Sequence, residues 1–168
     1  FVEAYGKRPV TIDDGQFYFE IQRSQGTDIR KAKYALEQRH IELKNLRFSF
    51  DSFVVSKSLN DDVSFMDAQT PTYIAIEKHK RMVLEKVYLC FDDAYALANR
   101  HLTNHNNIGE LFAKRFRYVF IDEMQDTDVH QCRVLNAIFQ PEKTVVQCIG
   151  DQNQTIYSYD VHESLVWK

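Results

Sequence analysis

The chain has 168 residues, 44% of them hydrophobic, which is enough for one ordinary core or two small cores that share an interface. Its 21 basic and 24 acidic residues give a net charge of −3, so no global basic field marks it as a nucleic-acid binder, although local patches count for more than totals. Cys90, Cys132 and Cys148 are widely spaced in apolar stretches, which argues against a disulfide scaffold or a zinc site and for buried thiols in a reducing, cytoplasmic setting. No apolar run approaches the roughly 20 residues that span a bilayer, so no membrane partner is expected. The opening Phe1-Val2-Glu3-Ala4 has neither an initiator Met nor a basic leader, and suggests a segment of a longer polypeptide.

Along the chain, Thr11–Gly15 reads as a strand or loop turning at Gly15, and Phe17–Ile21 as an aromatic-rich strand or the first turn of a helix. From Asp28 to Leu46 the apolar residues Ile29, Ala32, Ala35, Leu36 and Leu43 recur at helical spacing. Phe48, Phe50, Phe53 and Val55 predict a strand with a bulge near Asp51-Ser52, and Ser56–Pro71 a polar surface loop. Tyr73–Val87 predicts a helix in which Glu77 stands four before Arg81. Asp92 or Asp93 is expected to cap a further helix through Leu102, followed by an Asn- and His-rich turn over 103–109 and a short amphipathic piece, Ile108–Phe116. A strand over 118–122, a helix from about Asp128 to Phe139 and a strand over 144–149 then compose a βαβ crossover of a parallel sheet.

The chemistry gathers where those last two strands end. Tyr118-Val119-Phe120-Ile121 runs into Asp122-Glu123-Met124-Gln125-Asp126, and the later strand runs into Gly150-Asp151-Gln152-Asn153-Gln154. Short apolar runs that end in carboxylates and amides are what buried parallel strands deliver to the carboxyl edge of a sheet, where ligands of open α/β folds bind. Asp122 suits a hydrated magnesium ion, because hard cations prefer oxygen and magnesium keeps most of its water. Glu123, on the other face of an extended strand, suits a base that activates water toward a γ-phosphate. Gln125 and Asp126 offer hydrogen bonds to the neighbouring loop, and Gly150 permits a tight turn. Gln154 offers a neutral amide to a terminal phosphate, while Tyr157 and Tyr159 offer rings on which single-stranded bases can stack. Each element also has a plainer reading: a polar turn that caps the following helix at Thr127 or Asp128, and tyrosines that serve a core or an interface.

Taken together, Asp-Glu-x-Gln-Asp and Gly-Asp-x-x-Gln-x-Ile-Tyr, about 25 residues apart and joined by one helix, resemble motifs II and III of UvrD/Rep-like superfamily 1 DNA helicases. Phe91-Asp92-Asp93-Ala94 is similar to an element those proteins carry where subdomain 1B returns to 1A. The resemblance implies an α/β fold: a partial RecA-like parallel sheet with flanking helices, half of a P-loop NTPase domain, over residues 88–168. Residues 1–87 would be a mixed, mainly helical 1B-like insertion. It implies ATP and Mg2+ as cofactors, with Asp122 serving the metal, Glu123 the base, and Gln154 a contact to the γ-phosphate. Gln125, Asp126, Gly150 and Asp151 would line the nucleotide site, and Tyr157 and Tyr159 would stack on DNA, Tyr159 standing where Trp is frequent. The implied partners are single-stranded or partly duplex DNA, the remainder of the helicase polypeptide with its Walker A and 2A/2B regions, and a nuclease. The implied activity is that of an ATP-dependent 3′-to-5′ helicase or translocase. Asp160-Val161 departs from the Arg-Gly usual after the second aromatic, and Asn153 stands where Asp or Lys is frequent.

No Gly-x-x-x-x-Gly-Lys-Thr/Ser loop occurs: of Gly6, Gly15, Gly26, Gly109 and Gly150, only Gly6 precedes a Lys, and Arg8 follows it. The 168-residue piece is therefore expected not to hydrolyse ATP alone. A rival from another class is a non-hydrolysing DNA-binding or partner-docking module that keeps the motifs as structure, and a third is a magnesium-dependent receiver-like domain, which lacks a late-strand Lys. Among lesser candidates, His101 and His105 have no evident third metal ligand. Arg30, Lys31, Lys33 and Arg39 read either as a DNA-backbone contact or as an ordinary exposed helix face.

Overall fold

The computed structural model describes Gly6, Arg8, residues 11–140 and residues 142–151, and the chain divides between Arg100 and His101 into two units. The first begins with a two-residue strand, Thr11–Ile12 (β1), and a helix, Asp14–Arg23 (α1). The Asp13 carboxylate caps that helix by accepting from the Gln16 N–H at 2.6 Å. The aromatic segment 17–21 is thus helical, with Phe17 and Ile21 buried one turn apart and Phe19 exposed between them, and Gly15 lies in the first turn.

Thr27–Glu37 (α2) buries Ile29, Ala32 and Leu36, but stops well short of Leu43. Gln38-Arg39-His40 offers no apolar residue to continue the buried stripe, and His40 turns the backbone at φ 54 before a 3-10 turn at Leu43–Asn45. The single bulged strand expected over 48–55 is instead two short strands, Arg47–Phe48 (β2) and Val55–Ser56 (β3), paired antiparallel. The shift in apolar register marks a turn, closed by the Ser49 N–H on the Val54 carbonyl at 2.8 Å, with Phe53 at φ 56. That turn stacks the Phe48 and Phe53 rings at 4.4 Å. The following loop is polar, yet Leu59 and Phe65 are buried, Phe65 stacking on Tyr73.

Pro71–Glu85 (α3) follows a Thr70 cap, with Pro71 in its first turn and the Glu77–Arg81 pair on its flank. Tyr73, Ile76, Val83 and Leu84 face the core, α2 packs along α3, and the Tyr73 hydroxyl accepts from the Val55 N–H at 3.0 Å. Tyr88–Leu89 (β4) then pairs parallel with β1. Phe91–Asn104 (α4) contains Asp92 and Asp93 in its first turn, so neither is the expected N-cap. Asp92 pairs with Arg47 instead. Asp93, fully buried, takes the Lys80 ammonium at 2.9 Å on one oxygen and the Phe48 N–H at 2.8 Å on the other. Lys80, also fully buried, further donates to the Leu46 carbonyl at 3.1 Å and lies over the rings of Phe17 and Phe48.

The second unit contains Ile108–Arg115 (α5), Tyr118–Ile121 (β5), Val129–Ile138 (α6) and Val145–Cys148 (β6). The strands pair parallel from Tyr118↔Val145 to Ile121↔Cys148, the expected βαβ order. They are not buried on both faces, however. Val119, Ile121, Val146 and Cys148 are half-buried, whereas Tyr118, Phe120 and Val145 are 57–65% exposed. One crossover helix covers one face of a two-stranded sheet, so among the described residues the other face stays open. Phe112 and Phe116 of α5 meet Phe139, and Gly109 lets α5 come close to the Ala137 carbonyl. Mixed helices with small parallel sheets make this an α/β fold. Among the described residues no helix is long and apolar enough to cross a membrane.

Candidate active site

The carboxyl ends of β5 and β6 carry the candidate site. β-Pairing continues past both strands: the Ile149 N–H donates to the Ile121 carbonyl at 2.8 Å, and the Ile149 carbonyl accepts from the Met124 N–H at 2.9 Å. Asp122 and Glu123 both lie between those two bonds, one residue more than a regular parallel ladder holds there. They form a bulge, a device that re-aims side chains beside functional sites. Glu123 sits in the left-handed region at φ 52 and ψ 41, and its N–H donates to Asp122 Oδ1 at 3.0 Å. The alternation of an extended strand therefore does not aim Glu123; the bulge does. Both carboxylates are exposed, while Met124, 3% exposed, anchors the loop below them.

Gln125 reaches both loops. Its amide nitrogen donates to Glu123 Oε2, and its carbonyl oxygen accepts from the Asp151 N–H at 3.1 Å. Gly150 makes this possible, since a Cβ there would collide with Gln125 Oε1 and sit 3.2 Å from the Met124 nitrogen. Asp126 contributes through its backbone, closing the 3-10 turn on the Glu123 carbonyl at 2.9 Å, and its side chain is exposed.

The helix-capping role belongs to Asp128 alone. Its carboxylate accepts from the N–H groups of His130 at 2.7 Å and Gln131 at 2.9 Å, and Gln131 returns the bond to the Asp128 N–H at 3.0 Å. Asp122 and Glu123 are thus not spent on capping α6. Two exposed carboxylates fit magnesium, which is held by one or two such groups with water and substrate phosphate completing its shell. Among the described residues no group of three or more His, Cys, Asp or Glu could hold a metal by itself.

Gln154, Tyr157 and Tyr159, together with Asn153 and Asp160, lie outside the described residues. Of the lesser candidates, Lys33 donates to the Gln22 carbonyl at 2.6 Å and to that of Ser24 at 3.4 Å, tying α2 to the end of α1, and Arg30 bonds the Gly26 carbonyl. The His101 and His105 rings lie 4.4 Å apart. Cys90 and Cys132 are buried and Cys148 is half-buried. Burial, then the Asp128 carboxylate, pushes the Cys132 thiol up to about 11. The link from Gln125 to the neighbouring loop is as the sequence led one to expect; what the sequence did not reveal is the bulge, the bond from Gln125 back to Glu123 and the close approach at Gly150. A glycine directly after a strand and a Gln three residues beyond the first acid were the available signals.

Residues 8–162 match the family model described as the UvrD/REP helicase N-terminal domain. A RecBCD enzyme subunit RecB of Buchnera aphidicola is 28% identical over 89 residues, 53% of this chain and 7% of that protein. A probable DNA helicase II homolog of Rickettsia conorii is 26% identical over 135 residues, 79% of this chain and 20% of that protein. An ATP-dependent helicase/nuclease subunit from Lactobacillus acidophilus is 22% identical over 158 residues, 88% of this chain and 12% of that protein. The chain therefore spans a fifth or less of the length of these relatives. No solved structure matches significantly.

Proposed function

From a chain that belongs to the UvrD/REP helicase N-terminal domain family, we propose a segment of an ATP-dependent 3′-to-5′ DNA helicase or translocase. The observation that carries this reading is the clasp at the sheet edge: an exposed Asp122-Glu123 bulge bonded through Gln125 to the head of the Gly150-Asp151 loop. Residues 1–87 are the 1B-like part and 88–168 the later part of the RecA-like subdomain 1A. When bound, Mg2+ neutralises the charge of the ATP phosphates. Asp122 holds the hydrated ion, and Glu123 orients a water toward the γ-phosphate and takes its proton. Gln154 donates to the γ-phosphate, and Tyr157 and Tyr159 stack on single-stranded bases. With no Gly-Lys-Thr/Ser loop in its sequence, the chain leaves the cradling of the phosphates to other parts of the parent polypeptide. The likeness to a helicase/nuclease subunit supports a parent that works beside a nuclease.

The test is steady-state ATP hydrolysis by the full-length polypeptide with and without single-stranded DNA. DNA-stimulated turnover is expected, together with its absence from the isolated 168-residue piece. Retained DNA binding with no turnover in the full-length protein would instead identify a non-hydrolysing DNA-binding module.

A further inference from the structure

We propose that Gln125 is a positioning residue that fixes the water-activating Glu123 and couples it to the second loop, a role that rests on the reading of Glu123 as the base. An amide is two-ended, and here chemistry assigns both ends. Glu123 Oε2 can only accept, so the nitrogen of Gln125 must face it; the Asp151 N–H can only donate, so the oxygen of Gln125 must face that. Turned over, the amide would set oxygen against carboxylate and nitrogen against N–H.

Glu123 needs such a partner. Its backbone is left-handed in a bulge and its side chain is exposed, so neither strand geometry nor packing selects a rotamer for it. The Gln125 amide is the partner the structure provides, only two residues away across the 3-10 turn. The other end of the same amide holds the first backbone N–H after Gly150. A displacement of the Gly150-Asp151 backbone is therefore passed to the Glu123 carboxylate through two hydrogen bonds and one side chain. Gly150 belongs to the same device, because any Cβ at that position takes the space of Gln125 Oε1.

The arrangement admits few replacements. Asn is one methylene too short to span both partners, Glu sets a second carboxylate against Glu123, and Leu can neither donate nor accept. In the full-length polypeptide, Q125N and Q125L should each lower the DNA-stimulated kcat about tenfold or more, while the KM for ATP stays within about twofold. Q125N keeps a polar side chain at a part-exposed site, so it reports on the bond even if Q125L folds poorly. Because Gln125 acts through Glu123, adding Q125L to E123Q should lower the residual rate by less than about twofold. Independently of turnover, hydrogen exchange at the Asp151 amide should accelerate in Q125N, Q125L and G150A.

A parental kcat in Q125N and Q125L beside an inactive E123Q would overturn the positioning role and leave the base intact. A loss in the E123Q background as large as in the parent would overturn it too, by showing that Gln125 acts independently. If E123Q itself turned over normally, the base reading would fail, while unchanged exchange at Asp151 would separately refute the link between the loops.

Discussion

Two of the chain's adjacent acidic pairs, Asp92-Asp93 and Asp122-Glu123, lie after short parallel-paired strands, and the structure uses them in opposite ways. Asp92-Asp93 follows β4 and enters the first turn of α4, where Asp93 is sealed from water and both its oxygens are engaged. Asp122-Glu123 follows β5 and bulges outward, where both carboxylates meet solvent and, among the described residues, an amide and a backbone N–H attend them. Residue type is nearly the same in the two segments, although Cys90 and Phe91 separate the first pair from its strand and Asp122 follows β5 directly. What differs is whether a cation waits in the core: Lys80, from the buried face of α3, meets Asp93, and the described structure brings no cation to Glu123 at salt-bridge distance. Losing one partner of a buried, neutralised pair is costly to the fold, whereas exposed carboxylates stay open to water and, in the proposed function, to a metal ion.

The largest effect should come from breaking the buried pair. Asp93→Ala leaves the Lys80 charge without its counter-ion and the Phe48 N–H without its acceptor, and should destabilise the first unit by about 3–5 kcal/mol in denaturant unfolding. Replacing both partners, as K80M with D93L, should recover most of that loss. Recovery would show that the pair acts by mutual neutralisation; no recovery would assign the cost to the lost Phe48 and Leu46 bonds.

A smaller effect concerns pH. The Ile29 N–H and then the Lys78 ammonium hold the exposed Asp28 carboxyl near 2, below its usual 3.8. A carboxyl depressed by folding contributes stability that is complete above its unfolded value and lost as pH falls through the folded one. The first turn of α2, and with it the Asp28 tie to α3, should therefore weaken between about pH 4 and pH 2, and Asp28→Asn should flatten that part of a plot of thermal midpoint against pH. An unchanged acid limb in the variant would remove Asp28 from the account.

Much of this was legible in the residues. The long helix α3 announced itself through its apolar spacing and its Glu77–Arg81 pair, although its Thr70-Pro71 start lay in what the sequence marks as a polar loop, and the βαβ order announced itself through two apolar runs around one amphipathic helix. The motif pair pointed to the site because its polar residues are too many and too specific for a helix cap alone. The hidden part was tertiary. Nothing local distinguishes Lys80 from the exposed Lys78 of its helix until Asp93 arrives 13 residues later, and a register shift at Asp51-Ser52 looks alike for a bulge and for a turn. The left-handed backbone of Glu123 could not be read either, because it follows from where Ile149 places its two hydrogen bonds.

The most direct measurement is single-turnover ATP hydrolysis by the full-length polypeptide carrying Glu123→Gln, with DNA present. An exposed pair that does chemistry and not folding predicts a rate lower by about 10²–10⁴-fold, a change in unfolding free energy within about 0.5 kcal/mol, and retained nucleotide binding. A parental rate, or a loss of rate that tracks a loss of stability, would contradict it.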